Sequence, residues 1–219
     1  MKKIGFTLTI LAFLACYSAV IAQEEISTPE TGNSETVTLL TGGIDFDWVN
    51  MEQIKRDEMI EHYRSEIFDN NNISKFNKKE FRSEYKNFLK DTNRMTHYRL
   101  AYNDVKETKD ANLSSFFKKF KDQQILYMYA IQYKNNLNHA FYYDVLGRLQ
   151  YVDYMSENYP NFPYYSVQYR SNGTIAGTIY FVSKDIQYTY NSDGVFKYLW
   201  YKSKMYDRKG KEIMTRTNW

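Results

Sequence analysis

Tyr143-Asp-Val-Leu-Gly147, Tyr169-Arg-Ser-Asn-Gly173, Tyr190-Asn-Ser-Asp-Gly194 and Tyr206-Asp-Arg-Lys-Gly210 each set a tyrosine four residues ahead of a glycine, all in the last third of the chain. The unit reads as a β-hairpin. A three-residue hairpin loop is commonly a type I turn closed by a residue in the left-handed region, where glycine costs least. Gly147, Gly173, Gly194 and Gly210 fill that slot. The residue four before the glycine then lies opposite the residue two after it, which pairs Tyr143 with Leu149, Tyr169 with Ile175 and Tyr190 with Phe196. In the last unit Tyr206 faces Glu212 and the apolar pair one step out is Met205 with Ile213. That hairpin is expected to turn its other face to the core or to form an edge.

Working outward, the glycines are spaced by 26, 21 and 16 residues, too irregular for a solenoid and suited to an antiparallel meander. The longest connection holds Tyr159-Pro160-Asn161-Phe162-Pro163, whose prolines cannot continue a central strand. Residues 125–133 are apolar and aromatic enough to be the first strand. Tyr133-Lys-Asn-Asn-Leu137 follows as a degenerate unit in which Asn135 or Asn136 takes the left-handed position. The unit resembles the Tyr-Asp-x-x-Gly β-repeats of large bacterial surface and toxin proteins (YD repeats) and MORN-type hairpin repeats over about residues 139–216. Tyr188-Thr-Tyr190-Asn-Ser-Asp-Gly194 is also similar to the aromatic-glycine hairpins of cell-wall-binding repeats. The units lack the tryptophan that precedes the tyrosine pair in those repeats, so the resemblance implies the hairpin and no binding residue.

Ahead of the sheet the period is helical. Trp48, Met51, Ile54, Met59, Tyr63 and Ile67 recur at three- and four-residue spacing until Asp69-Asn70-Asn71-Asn72. Asn77 with Glu80 outlines a capping box for a second helix carrying Phe81, Tyr85, Phe88 and Leu89, and residues 94–110 are assigned helix as well. Leu113, Phe116, Phe117 and Phe120, interleaved with Lys118, Lys119 and Lys121, give a third amphipathic helix with a solvated lysine face. The expected fold class is therefore α+β, an N-terminal helical segment at 46–122 followed by a C-terminal antiparallel β-meander of hairpins at 123–219.

Lys2 and Lys3, an uncharged apolar run over residues 4–22 and then Gln23-Glu24-Glu25 have the pattern of a signal peptide, with a flexible spacer at 23–45. The expected product is exported, periplasmic or extracellular, and keeps no transmembrane segment after leader cleavage. Lipid anchoring at Cys16, through a sequence like a lipoprotein box, is the alternative. Cleavage after Ala22 removes the sole cysteine, and with it any disulfide framework. The formal charge of +3 includes Lys2 and Lys3, which argues against a nucleic-acid partner.

Little chemistry is signalled. His62, His97 and His139 have no metal-binding spacing, and no cofactor loop, nucleophile elbow or favoured carboxylate pair stands out, so no catalytic residue, metal or cofactor is assigned. The aromatic excess, 22 tyrosines and 14 phenylalanines, suggests binding instead. With Tyr143, Tyr169 and Tyr190 on the buried face, Tyr142, Tyr180 and Tyr201 are expected on the opposite one. The binding residues singled out are Trp200, Tyr201, Lys202, Lys204, Lys209, Lys211 and Trp219, cations with indoles suited to an acidic polymer. An edge hairpin kept soluble by its lysines is the competing account of that terminus. The expected function is a non-catalytic binding or structural protein of the bacterial cell envelope, with an envelope glycan or envelope protein as partner. The alternative is an envelope-polymer hydrolase.

Overall fold

The computed structural model describes residues 46–69 and 99–218. The expected leader, spacer, second helix and Trp219 lie outside the described residues. Within them, helix α1 (Gln53–Phe68) and a short helix α2 (Tyr102–Lys106) precede ten strands. The strands are β1 (Ala111–Phe120), β2 (Gln123–Tyr133), β3 (His139–Asp144), β4 (Leu149–Met155), β5 (Tyr164–Arg170), β6 (Ile175–Phe181), β7 (Ile186–Asn191), β8 (Phe196–Tyr201), β9 (Lys204–Tyr206) and β10 (Glu212–Arg216). Each pairs antiparallel with the next, and β10 returns to β1, so the meander is a closed barrel.

The tyrosine units build one hairpin four times over. The glycines have φ of 75° to 82°. Tyr143 lies opposite Leu149, Tyr169 opposite Ile175, Tyr190 opposite Phe196 and Tyr206 opposite Glu212. In three units an Asx side chain holds the turn. Asp144, Asn191 and Asp207 each accept, through Oδ1, the backbone N–H groups two and four residues on, at 2.8 to 3.0 Å. After each glycine the register skips one residue, namely Gln150, Ala176, Lys197 or Ile213. That β-bulge reverses the inward–outward alternation beyond it and tightens the local twist.

The bulges correct two expectations. Tyr180 and Tyr201 share the outer wall with Tyr190, because the extra residue at 176 or 197 moves them across; of the three tyrosines assigned to the opposite face, Tyr142 alone points inward. Met205 pairs with Met214 rather than Ile213, since Ile213 is itself the bulge. The 133–137 turn also differs, for neither Asn135 nor Asn136 is among the described residues with positive φ.

The larger correction is β1. Residues 111–120 form a strand, and the first strand is β1 rather than the one beginning near Ile125. Phe116 faces the barrel interior, and Leu113 packs on the outer wall, so apolar residues on both faces imitate a helical stripe. The bulge beside Phe116 and Phe117 lies on β2, where Tyr127 is the extra residue between their partners Met128 and Leu126. Phe116 pairs with Arg216 and Phe117 with Thr215. The seam is reinforced where the Ser114 hydroxyl donates to the Asn218 carbonyl at 3.0 Å and the Thr217 N–H to the Ser115 carbonyl at 2.9 Å. With β10 paired on both sides, the last hairpin is no edge.

Three apolar clusters follow from closure. Tyr142, Tyr164, Phe181, Trp200 and Met205 fill the barrel with Phe116. Outside, Tyr129, Phe141, Tyr143 and Tyr169 lie beneath Leu100, Tyr102 and Val105, and the Tyr129 hydroxyl donates to the Leu100 carbonyl. On another part of the wall, Met59, Ile60, Tyr63 and Ile67 of α1 cover Tyr188, Tyr190 and Leu199. Burying a large apolar side chain is worth roughly 1.5–3 kcal/mol. The tyrosine excess thus has a structural use on both faces of the sheet.

Candidate functional site: a tyrosine-lined cleft

The glycine turns and the β1–β2 turn all lie at one end of the barrel, and the remaining connections lie at the other. At that second end a cleft of about 680 Å³ opens between the outer wall, the end of α1 and the β4–β5 connection. Its lining includes Tyr154, Tyr165 and Tyr180 of the wall, Tyr159 of the connection, Tyr164 at the start of β5, and Glu66 of α1. Glu157, Asn138, Asn158 and Ser156 complete its polar rim.

The wall tyrosines are a product of register. Tyr165 lies directly opposite Tyr180, and Tyr180 opposite Tyr188. Tyr154 lies opposite His139, whose ring meets it edge-on at 4.8 Å. Tyr63 of α1 packs on Tyr188 at 4.6 Å and on Tyr180 at 5.6 Å, so the helix covers Tyr188 and leaves Tyr180 at its border. Tyr164 forms the back of the site, stacked on Phe181 at 4.3 Å and met edge-on by Tyr159 at 5.2 Å. The connection is tied to the wall where Ser156 N–H donates to the Tyr165 carbonyl at 2.8 Å and Tyr165 N–H to Ser156 Oγ at 3.2 Å. Its bonds Tyr159–Pro160 and Phe162–Pro163 are cis.

Electrostatically the cleft is neutral to acidic. Burial, and then the Glu66 charge, push the Tyr180 phenol up to about 12. Burial and then Glu157 raise Tyr165, and burial raises Tyr159. These phenols stay protonated and able to donate. The site therefore offers aromatic rings, phenolic donors, amides and two carboxylates, and among the described residues none that lines it is a cation.

Of the residues singled out from sequence, Tyr201 and Lys202 are brought together, the Lys202 ammonium 5.2 Å from the Tyr201 ring on the rim of a small pocket, and the other described ones are not. Trp200 is fully buried inside the barrel with the Arg216 guanidinium 4.4 Å over its ring, so it presents no face to a ligand. This corrects its assignment as a stacking residue, and the cause is again the bulge at Lys197. Tyr201 packs on Phe46 at 4.9 Å. Lys202 sits in the β8–β9 turn with φ of 53° and lines a smaller pocket of about 280 Å³ with Phe46, Trp48 and Tyr206. Lys204 is paired with Glu212 at 3.0 Å. Lys209 and Lys211 are exposed on the Gly210 turn, at the other end of β9 from Lys202. Sequence reasoning missed the cleft residues because nothing local joins Glu66 to Tyr165. The one signal that could have marked the place is the long proline-bearing connection, read from sequence only as a break between strands, since long connections carry function more often than short ones.

Inside the barrel, Asp153 is fully buried opposite Gln168 and accepts the Tyr142 hydroxyl at 2.8 Å. Burial pushes its carboxyl up to about 7, against the opposing effect of the Tyr142 and Gln168 hydrogen bonds. Among the described residues no group of three or more His, Cys, Asp or Glu is placed to hold a metal, and no helix is long and apolar enough to cross a membrane. No family model, curated protein or solved structure matches the chain.

Proposed function

We propose that the chain is an exported, non-catalytic binding protein of the cell envelope, and that the tyrosine cleft receives a glycan. The observation that carries this is the row Tyr154, Tyr165 and Tyr180 along one wall, with Asn138, Ser156, Asn158, Glu66 and Glu157 around it. Sugar rings have apolar faces that stack on aromatic side chains and equatorial hydroxyls that need donors and acceptors at the rim. Tyrosine supplies both from a stiff side chain, which limits the entropy lost on binding. The cleft takes over the binding role that the basic terminus was expected to play.

Calorimetry against soluble envelope saccharides tests it. Binding by the intact chain, lost in Tyr165→Ala and Tyr180→Ala and unchanged in Lys209→Gln, is expected; binding that ignores both tyrosine substitutions would remove the cleft from the site.

A second reading is favoured by one observation, that Glu66 and Glu157 line the same cleft. Two carboxylates flanking a bound sugar are the requirement for glycoside hydrolysis. Product release from the same saccharides, abolished in both Glu66→Gln and Glu157→Gln, would make the protein a hydrolase instead.

A further inference from the structure

The opposite end of the barrel has a different chemistry. β1 pairs with β10 at Phe116 and Phe117, and β2 pairs with β3 over 128–131. Residues 118–126 consequently run on past the barrel wall as a two-stranded ribbon, paired across at Lys118–Ile125 and Phe120–Gln123. Alternation puts Phe120 and Ile125 on one face of that ribbon, and they are 62% and 48% exposed. Lys118, Lys119 and Lys121 surround them, with Lys118 anchored over the Tyr127 ring at 3.4 Å.

The barrel order sets two turns beside the ribbon. Next to β1 comes the β9–β10 turn, carrying exposed Lys209 and Lys211. Next to β2 comes the β3–β4 turn, whose Val145 and Leu146 are 52% and 70% exposed. Apart from Phe162 and Ile54, the large apolar residues most exposed among the described ones lie in the turns of this end or against them, Val195 and Val49 included. Val49 lies against the Gly210 turn, its Cα 3.4 Å from where a Cβ on Gly210 would sit.

We propose that this end docks on an anionic lipid bilayer, with the β1–β2 ribbon entering the interface. Apolar side chains on protruding tips, set among lysines, match an interface whose outer layer is negative and whose next layer is hydrocarbon. Lysines on the free edges of a ribbon also discourage sheet-to-sheet pairing, but edge protection gives no reason to expose Phe120 and Leu146. A protein partner is the less suited occupant. Stable protein interfaces need a contiguous, complementary patch of roughly 800 Å² per partner, whereas these apolar groups stand on separate turns that a fluid surface accommodates one by one. The surface is distinct from the cleft and does not depend on the cleft's ligand.

The test is flotation of the full chain with vesicles of phosphatidylcholine alone and of phosphatidylcholine mixed with phosphatidylglycerol. The apolar run at 4–22, with Lys2 and Lys3, also favours anionic vesicles, so the readings that decide are the losses of each variant against the intact chain on the same vesicles. Tighter binding to the phosphatidylglycerol vesicles, weakening with added salt, is expected. The double variant Phe120→Ser with Ile125→Ser should lose at least about tenfold in affinity, as withdrawal of two inserted apolar side chains implies. Lys119→Gln with Lys121→Gln should reduce the preference for phosphatidylglycerol by about tenfold or more, the remaining lysines keeping the rest. All four positions are solvent-exposed, and near-ultraviolet circular dichroism verifies the fold of each variant. Equal flotation by the intact chain and the serine variant, or no preference for phosphatidylglycerol, would overturn the proposal. So would self-association of the intact chain in sedimentation that the serine variant abolishes, since it would assign the ribbon to a protein interface.

Discussion

The Tyr190 hydroxyl donates to the carbonyl oxygen of Ile60 at 2.7 Å, a fully buried hydrogen bond that joins the barrel wall to α1 across 130 residues of sequence. Tyr190 also stands opposite Phe196, so the first residue of a hairpin unit is the point at which the helix is held.

Tyr190→Phe keeps the ring contact and removes the donor. A buried hydrogen bond contributes about 1 kcal/mol net and its orphaned partner costs up to about 3; the Ile60 carbonyl retains its helical partner, which puts the expected loss near the lower figure. Urea unfolding measures it. A loss confined to early proteolysis of α1, with the barrel midpoint unmoved, would show that the helix detaches as a separate unit.

Gly147→Ala should destabilise the protein more than Gly194→Ala. Both residues have positive φ, for which a side chain costs on the order of 1 kcal/mol. A Cβ on Gly147 would stand 2.5 Å from the Leu100 carbonyl oxygen, which is backbone, whereas on Gly194 it would meet the Phe68 ring at 3.5 Å, an ordinary contact. Equal midpoints for the two variants would mean that the 99–101 segment yields without cost.

A buried carboxyl and a half-buried imidazole give opposing pH dependences. The Asp153 carboxyl is pushed up to about 7 by burial, from 3.8, so between those values the folded chain holds a proton that the unfolded chain has released, and stability falls as pH rises. The His139 imidazole is pushed down to about 4 by burial, from 6.5, so there the unfolded chain holds the extra proton and stability falls as pH falls. Each slope is at most about 1.4 kcal/mol per pH unit. Asp153→Asn should therefore make the protein less stable at pH 5 than at pH 7, and His139→Gln should make it more stable at pH 5 than at pH 7. Denaturant midpoints at the two pH values decide it, and parallel profiles for intact protein and both variants would defeat the assignment.

In the cleft, Glu157→Gln and Tyr180→Phe separate charge from hydrogen bonding. If a neutral sugar is bound, the glutamine variant should keep affinity within about threefold, because an amide still offers an acceptor, while the loss of a phenolic donor from a bound hydroxyl costs about 0.5–1.5 kcal/mol. A loss far larger for Glu157→Gln than for Tyr180→Phe, seen by calorimetry, would indicate a cationic ligand.

The hairpins were legible because turn chemistry is local. Gly147, Gly173, Gly194 and Gly210 dictate their own backbone, and the cross-strand partner of each unit's tyrosine follows by counting. The bulge one residue beyond each pair left no mark on the sequence, and it sent Trp200 inside and Tyr180 out. β1 was hidden for a related reason. A strand buried on both faces loses its alternation, and Leu113, Phe116, Phe117 and Phe120 satisfy a helical period by coincidence. Of the cleft only the proline-bearing connection shows in the sequence, since Glu66, Tyr154, Tyr165 and Tyr180 meet only once the barrel has closed and α1 lies on it.

The β1–β10 seam also sets an order of events for the folding chain. Every other strand pair joins neighbours in sequence and closes a short loop quickly, whereas Phe116 and Arg216 must find each other from about a hundred residues apart. The meander can assemble outward from its self-registering turns as an open sheet, and the last contact to form is the one that makes it a cylinder. Until then, the edges of β1 and β10 stand unpaired, so the nascent protein passes through its most aggregation-prone form just before completion. Substitutions at Phe117 and Thr215 should lengthen that stage, while those within the glycine turns should delay its beginning.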